Sequence, residues 1–267
     1  MIRKLLKYDL KAIARYLLPL YVVFLAISFV NGFIKPFDIL DNASGFNLQV
    51  LISIMLIIIF YILMFGILLG TIIIQIQRFQ KNLLSDEGYL SFTLPVKTWQ
   101  HVLSKLISSL MWIILSILVI LFAISIMTRV SIPGLIDALT VSFNEIGMVF
   151  GSSGYIIMPV YLILVLVQMW LTICNSITIG HHFENHKIIA SFATYFIFYF
   201  ITQALTIITA IIYLLITFGS FENVPMNAAT IPNGGFLLGS LTILIGLIAI
   251  GHYLSLNYFL KNKLNLE

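Results

Sequence analysis

Residues 48–105 read LQVLISIMLIIIFYILMFGILLGTIIIQIQRFQKNLLSDEGYLSFTLPVKTWQHVLSK. The first part, 48–75, is an almost uninterrupted run of Ile, Leu and Phe without a charge. A bilayer core about 30 Å thick takes roughly 20 apolar helical residues to cross. At 1.5 Å per residue this run measures roughly 42 Å, so it spans the membrane and must tilt or protrude. The second part, 76–105, is the long polar segment between two strongly apolar runs. It holds four of the fourteen Lys and Arg residues and the acidic pair Asp86-Glu87. It also carries apolar side chains expected to be exposed: Leu83, Leu84, Tyr89, Leu90 and Phe92. A connector between two membrane helices can be far shorter, so the segment reads as a contact surface.

The rest of the chain agrees with a membrane setting. It is 61% hydrophobic and 9% charged, with a mean hydropathy of +1.09. A soluble domain carries about 25% charged residues. The expected fold is therefore an all-α integral membrane protein, one transmembrane domain over residues 1–267. A net charge of +4 has to be read by side of the membrane and is no nucleic-acid signature. The single cysteine, Cys174, lies inside an apolar run, which excludes an intrachain disulfide. The first apolar run lacks a small-x-small exit site, so it reads as a retained span rather than a cleaved signal.

Residues 1–15 (MIRKLLKYDLKAIAR) place Ile2, Leu5, Leu6, Leu10 and Ile13 at helical spacing among five cations. That pattern predicts an interfacial amphipathic helix in the headgroup plane, or a simple topology anchor. Six transmembrane helices follow at about 16–34, 48–75, 98–127, 155–180, 188–217 and 236–260, with Thr98 as N-cap of the third. Residues 76–97 form the connecting segment between spans 2 and 3. The loop at about 129–154, bounded by Pro133-Gly134 and Gly151–Gly154, predicts a short interfacial helix or re-entrant turn. Six spans put both termini on one side. Twelve of the fourteen Lys and Arg residues then fall on that side, and only Lys35 and Arg129 on the other. The positive-inside rule predicts cytoplasmic termini and a cytoplasmic 76–97 segment.

No ionisable residue is expected well inside a span, which argues against an ion-coupled carrier. The chain has no Gly-rich phosphate loop, no Gly-x-Ser-x-Gly and no His-Glu-x-x-His. It is not expected to be an enzyme by itself, and energised work would draw on another chain. His182 and His186 have zinc-ligand spacing, but Phe183 stands where a zinc protease needs Glu, and no third ligand is near. A polar turn at the membrane surface is the simpler reading. Asn31, Gln75, Gln168, Asn175 and Gln203 read as interhelical hydrogen-bonding groups, and Gly66, Gly70, Gly239 and Gly246 as possible points of close helix approach. Trp99, Trp112 and Trp170 read as belt or packing residues.

The run Arg78, Phe79, Lys81, Asn82-Leu83, Asp86-Glu87-Gly88-Tyr89-Leu90, Thr93-Leu94-Pro95 and Ser104-Lys105 resembles a known family. It is similar to the cytoplasmic segment between the second and third spans in six-helix permease subunits of Firmicutes-type ABC exporters. The opening KLLKYDLKAIARYLLPLY (4–21) also resembles that family. The resemblance implies a coupling helix that docks on a separate ABC ATPase. The implied contact is Leu83, Leu84, Ser85, Asp86, Glu87, Gly88, Tyr89, Leu90, Phe92, Thr93, Leu94 and Pro95. The apolar members would fill a groove, and the two acids would meet basic groups or cap the short helix. It further implies a second permease subunit, identical or paralogous, in the lipid bilayer of a bacterial cell membrane. ATP and Mg would be bound by the ATPase, with no cofactor in this chain. Walls without fixed charge suit amphipathic peptides or toxins. A non-energised carrier or channel, and a membrane scaffold recruiting a cytoplasmic partner, are the alternatives.

Overall fold

The computed structural model describes residues 2–262 apart from 44, 86–87, 89–92, 94–95, 184–185 and 220–232. The helices are α1 (Ile2–Ile34), α2 (Pro36–Asp41), α3 (Leu48–Leu83), α4 (Thr98–Thr128), α5 (Ile132–Phe150), α6 (Gly154–Gly180), α7 (Lys187–Phe218) and α8 (Gly234–Asn262). No strand occurs among the described residues. Six helices, α1, α3, α4, α6, α7 and α8, are long and apolar enough to cross a membrane. The all-α membrane fold is therefore as expected. A helix is the favoured solution for a single apolar segment in lipid, because it satisfies every interior backbone group within itself.

Two boundaries differ from the sequence reading. Residues 2–15 are not a separate in-plane helix: they continue without a break into the first span as the 33-residue α1. The reason is the buried stripe Asp9, Ile13, Leu17, Tyr21, Phe24, Ser28 and Asn31. Its steps of three and four place one face of a single helix against protein from residue 9 onward, across the expected boundary at 15. The loop after span 3 holds a helix, the first of the two expected forms, but at 19 residues α5 is not short.

The chain divides into two compact units. The first comprises residues up to Arg78 and from Leu103 to Ala138. Its core joins Ile13, Leu17, Tyr21 and Phe24 of α1, Phe60 and Ile67 of α3, and Trp112, Ile120, Ala123 and Met127 of α4. Lipid tails are as apolar as these side chains, so close packing and hydrogen bonds hold the helices together. The Phe24 and Phe60 rings stack at 5.1 Å with a 31° tilt. Tyr21 Oη and Thr71 Oγ1 both meet Ser116 Oγ, at 2.7 and 2.8 Å, which ties α1, α3 and α4 through one hydroxyl. Gln75 Nε2 donates to the Ser109 carbonyl at 3.3 Å, an interhelical bond of the expected kind.

At the far end of α1, a Cβ on Gly32 would overlap the Ile126 carbonyl oxygen of α4. Arg129, in the left-handed region at φ 55°, closes α4 and donates through Nε to the Gly32 carbonyl at 2.5 Å. A cation on the last carbonyls of α1 also complements that helix's dipole. The glycines singled out in the sequence do not act this way. Gly66 and Gly239 face open space, and Gly70 and Gly246 meet one leucine each at 3.8 Å.

The second unit comprises Phe79–Val102 and residues from Leu139 onward. Here α6 packs along α8 and beside α7. The C-terminal half of α6, from Trp170 to Gly180, is almost wholly buried. A Cβ on Gly180 would overlap the Ser191 backbone, so the end of α6 and the first turns of α7 are in direct contact. Tyr213 is the one buried residue of α7. Gly219, at φ 73°, ends α7, and its N–H closes on the Leu215 carbonyl at 3.0 Å.

Candidate functional site

Of the segment expected to dock a partner, Leu83 and Leu84 are buried, 1% and 6% exposed. These two of the five apolar side chains expected to be exposed are thus packed into the protein, because α3 runs to Leu83 and the Leu84 N–H continues its ladder onto the Gln80 carbonyl at 2.8 Å. Ser85 and Thr93 are exposed and Gly88 is buried. Asp86, Glu87, Tyr89, Leu90, Phe92, Leu94 and Pro95 lie outside the described residues.

One charged constellation was missed in the sequence. Asp9 of α1, only 6% exposed, accepts a hydrogen bond from Lys105 Nζ of α4 at 2.5 Å. Arg78 of α3 stands 3.8 Å from the same oxygen, an ion pair without a hydrogen bond. One carboxylate therefore joins three helices at the end of the first unit where the 79–102 segment leaves and returns. The side chains of Asp9 and Lys105 are 9% and 11% exposed, so solvent screens this pair little. The available signal was Asp9 itself. It is the lone acid among five cations in residues 1–15, and it stands four residues before Ile13, on the buried face.

A second constellation lies within the spans of the other unit. His252, inside α8 and 7% exposed, contradicts the expectation that no ionisable residue lies well inside a span. Its Nδ1 is 3.1 Å from Asn175 Nδ2 on α6, and Asn175 Oδ1 accepts from Ser255 Oγ at 3.1 Å. The Phe198 ring of α7 meets the imidazole edge-on at 4.8 Å. The network ties α6 to α8, as expected of Asn175, with His252 as the partner. It borders a cavity of about 260 Å³ that Thr202 also lines.

Thr202 also faces a larger, open-sided cavity of about 540 Å³ between α6, α7 and α8, at whose rim Tyr199 and Gln203 are exposed. From α6 come Tyr161, Gln168 and Thr172. From α7 come Tyr195, Tyr199, Thr202, Gln203 and Thr206. On each helix the spacing runs mainly in threes and fours, so the polar groups form facing stripes. Leu237, Leu241 and Ile245 of α8 supply an apolar wall. Gln168 bonds within its own helix, to Thr172 Oγ1 at 3.0 Å, and not across to a neighbour. Sequence reading named Gln168 and Gln203 but not the tyrosines, whose role follows from the facing of the two helices.

The histidine turn is occupied structurally. His182 Nδ1 stands 3.0 Å from the Thr178 carbonyl, and its ring meets Phe259 edge-on at 5.3 Å. His181 stands 3.0 Å from the Ile177 carbonyl, and burial lowers its pKa below the usual 6.5, against the opposing effect of that carbonyl. Trp112 and Trp170 are buried packing residues, whereas Trp99 is 41% exposed.

No protein-family model, curated protein or solved structure matches the chain. The candidate sites are therefore read on their chemistry alone.

Proposed function

We propose that the chain is the transmembrane permease subunit of an ATP-driven exporter, worked by a separate ABC ATPase. The observation that carries this reading is the run from Arg78 to Lys105, with its resemblance to the ATPase-docking segment of exporter permeases. Six membrane-length helices agree with it. Asp9 adds a mechanical reason. Arg78 and Lys105 flank the segment and both answer to the same carboxylate, so force applied between them reaches α1, α3 and α4 together. ATP and Mg would be held by the ATPase. Its closure would push the docking segments of two permease subunits and shift the pair between inward- and outward-facing states. The segment and both termini would be cytoplasmic, in a bacterial cell membrane, by the distribution of Lys and Arg. Amphipathic peptides or toxins are the proposed cargo.

The decisive experiment is co-expression and co-purification with its cognate ABC ATPase, followed by ATP hydrolysis and export in proteoliposomes. The expected result is a stable complex whose export is lost when Asp86, Glu87 and Tyr89 are changed together. Absence of a complex, or export intact in that triple variant, would sink the proposal. His252 favours one second reading, since an ionisable residue buried in a span marks transport paths in carriers that need no ATPase. Transport by this chain alone in liposomes would establish that reading instead.

A further inference from the structure

The cavity between α6, α7 and α8 has the size and chemistry of a ligand site. Small-molecule pockets usually measure about 300–1,000 Å³, and this one holds about 540 Å³. Eight of its fifteen lining residues bear hydroxyl or amide groups, and none is Asp, Glu, Lys, Arg or His. Among the described residues, none hydrogen-bonds the hydroxyls of Tyr161, Tyr195 or Tyr199, or the side-chain amide of Gln203. Protein does not bury these groups, Tyr199 and Gln203 being exposed, but they lie in helices of membrane length, where hydrocarbon supplies no partner and an unmade hydrogen bond is costly. An acyl chain filling the space would leave them unsatisfied. A charged ligand would find no counter-charge in the lining.

We infer that this cavity binds an uncharged amphipath: a molecule of drug size with several hydrogen-bonding groups and an apolar body, such as a stretch of peptide backbone with apolar side chains. Gln203 and the tyrosine hydroxyls meet its carbonyl and N–H groups. Leu237, Leu241 and Ile245 take its apolar side. Selection is by exclusion of charge: a fixed charge entering the cavity loses its hydration and gains no ion pair. The site stands on its lining alone. Only its naming as the cargo site of an exporter rests on the function proposed above.

The test uses the full chain in lipid nanodiscs, without any ATPase, titrated calorimetrically with two matched probes. One is a leucine–phenylalanine tetrapeptide, acetylated at its N-terminus and amidated at its C-terminus. The other keeps a free, cationic N-terminal amine. The expected result is saturable one-site binding of the capped probe, at least tenfold tighter than the cationic one. Gln203→Leu and Tyr199→Phe should each weaken the capped probe about fivefold, the loss of one net hydrogen bond. Gln168→Glu, which places an anion in the lining, should reverse the preference toward the cationic probe. Each variant is compared with the parent by gel filtration and melting temperature, so that lost binding is not mistaken for lost fold. No saturable binding of the capped probe overturns the inference. So does equal or tighter binding of the cationic probe by the unaltered chain, the outcome if the tyrosine rings act as a cation cage. Binding as expected, with no ATP-driven export of the same peptide, would leave the site standing and remove the transport role.

Discussion

Replacing Asp9 by Asn takes a shared counter-charge from Lys105 and Arg78 at a carboxylate only 9% exposed. Breaking a buried ion pair costs about 3–5 kcal/mol, and a loss of that order is expected in the unfolding of Asp9→Asn in nanodiscs. In a cycle with Lys105→Met the double variant should be markedly less destabilised than the sum of the singles, because one interaction is removed in both. Gly32→Ala should also destabilise, by about 1–3 kcal/mol, since its Cβ overlaps the Ile126 carbonyl and the backbone must shift. Gly66→Ala, facing open space, should instead be neutral or stabilise by up to about 1 kcal/mol through helix propensity. Comparing the two melting temperatures checks both. His181 gives a pH dependence. Its folded pKa is lowered, chiefly by burial, so the unfolded chain binds the proton first as pH falls through 6.5. The contribution of this group is intact above pH 6.5 and declines below it. The protection factors of amides in the last turn of α6, with exchange corrected for its intrinsic pH dependence, should fall between pH 7 and 5.5, and the fall should vanish in His181→Gln.

Among the elements, the hydroxyl junction of α1, α3 and α4 gives a measurable coupling. Polar pairs between membrane helices average about 0.6 kcal/mol in double-variant cycles. Tyr21→Phe and Ser116→Ala should show a coupling of that size, against no coupling for Tyr21→Phe with Ser176→Ala, whose Oγ bonds only within α6. The helices themselves were legible in the sequence, because an apolar run longer than 20 residues has few alternatives in lipid. What was not legible is which side of each run faces protein. The spans are apolar on every side, so periodicity separates lipid from neighbour poorly. The exception is α1, where Asp9, Ser28 and Asn31 mark the buried stripe among residues that could equally face lipid. For the same reason the close-approach glycines were misread: Gly32 and Gly180 are set by the facing of two helices, which composition does not contain. His252 was visible as a residue but its burial was not, because it depends on Asn175, 77 positions earlier.

For the whole molecule, the charge distribution makes a definite claim about orientation. With the buried Cys174 replaced by Ala, single cysteines at Lys35 and Lys97 should differ in intact cells. A membrane-impermeant thiol reagent should label the first and leave the second untouched until the cells are opened. The opposite pattern would invert the molecule and remove the cytoplasmic docking segment with it. The candidate sites were legible to unequal degrees. The Arg78–Lys105 run is local in sequence, so its pattern can be read there directly. The α6–α7–α8 cavity is assembled from residues up to 84 positions apart, from Tyr161 to Ile245, and no local pattern announces it.

The Asp9–Lys105 pair also bears on how the chain is made. Its members are 96 residues apart. At a synthesis rate of about 5–20 residues per second, Asp9 waits roughly 5–20 s before Lys105 exists. For the part of that interval after α1 has left the ribosome, its carboxylate has at most Arg78 of α3 as a partner and needs water or lipid headgroups around it. Until then the first turns of α1 are held less firmly than in the finished protein, and Lys105 fastens them when α4 arrives. A ribosome stalled after α1 has emerged and before Lys105 is made should hold a chain whose first helix is still open to protease at its leading end.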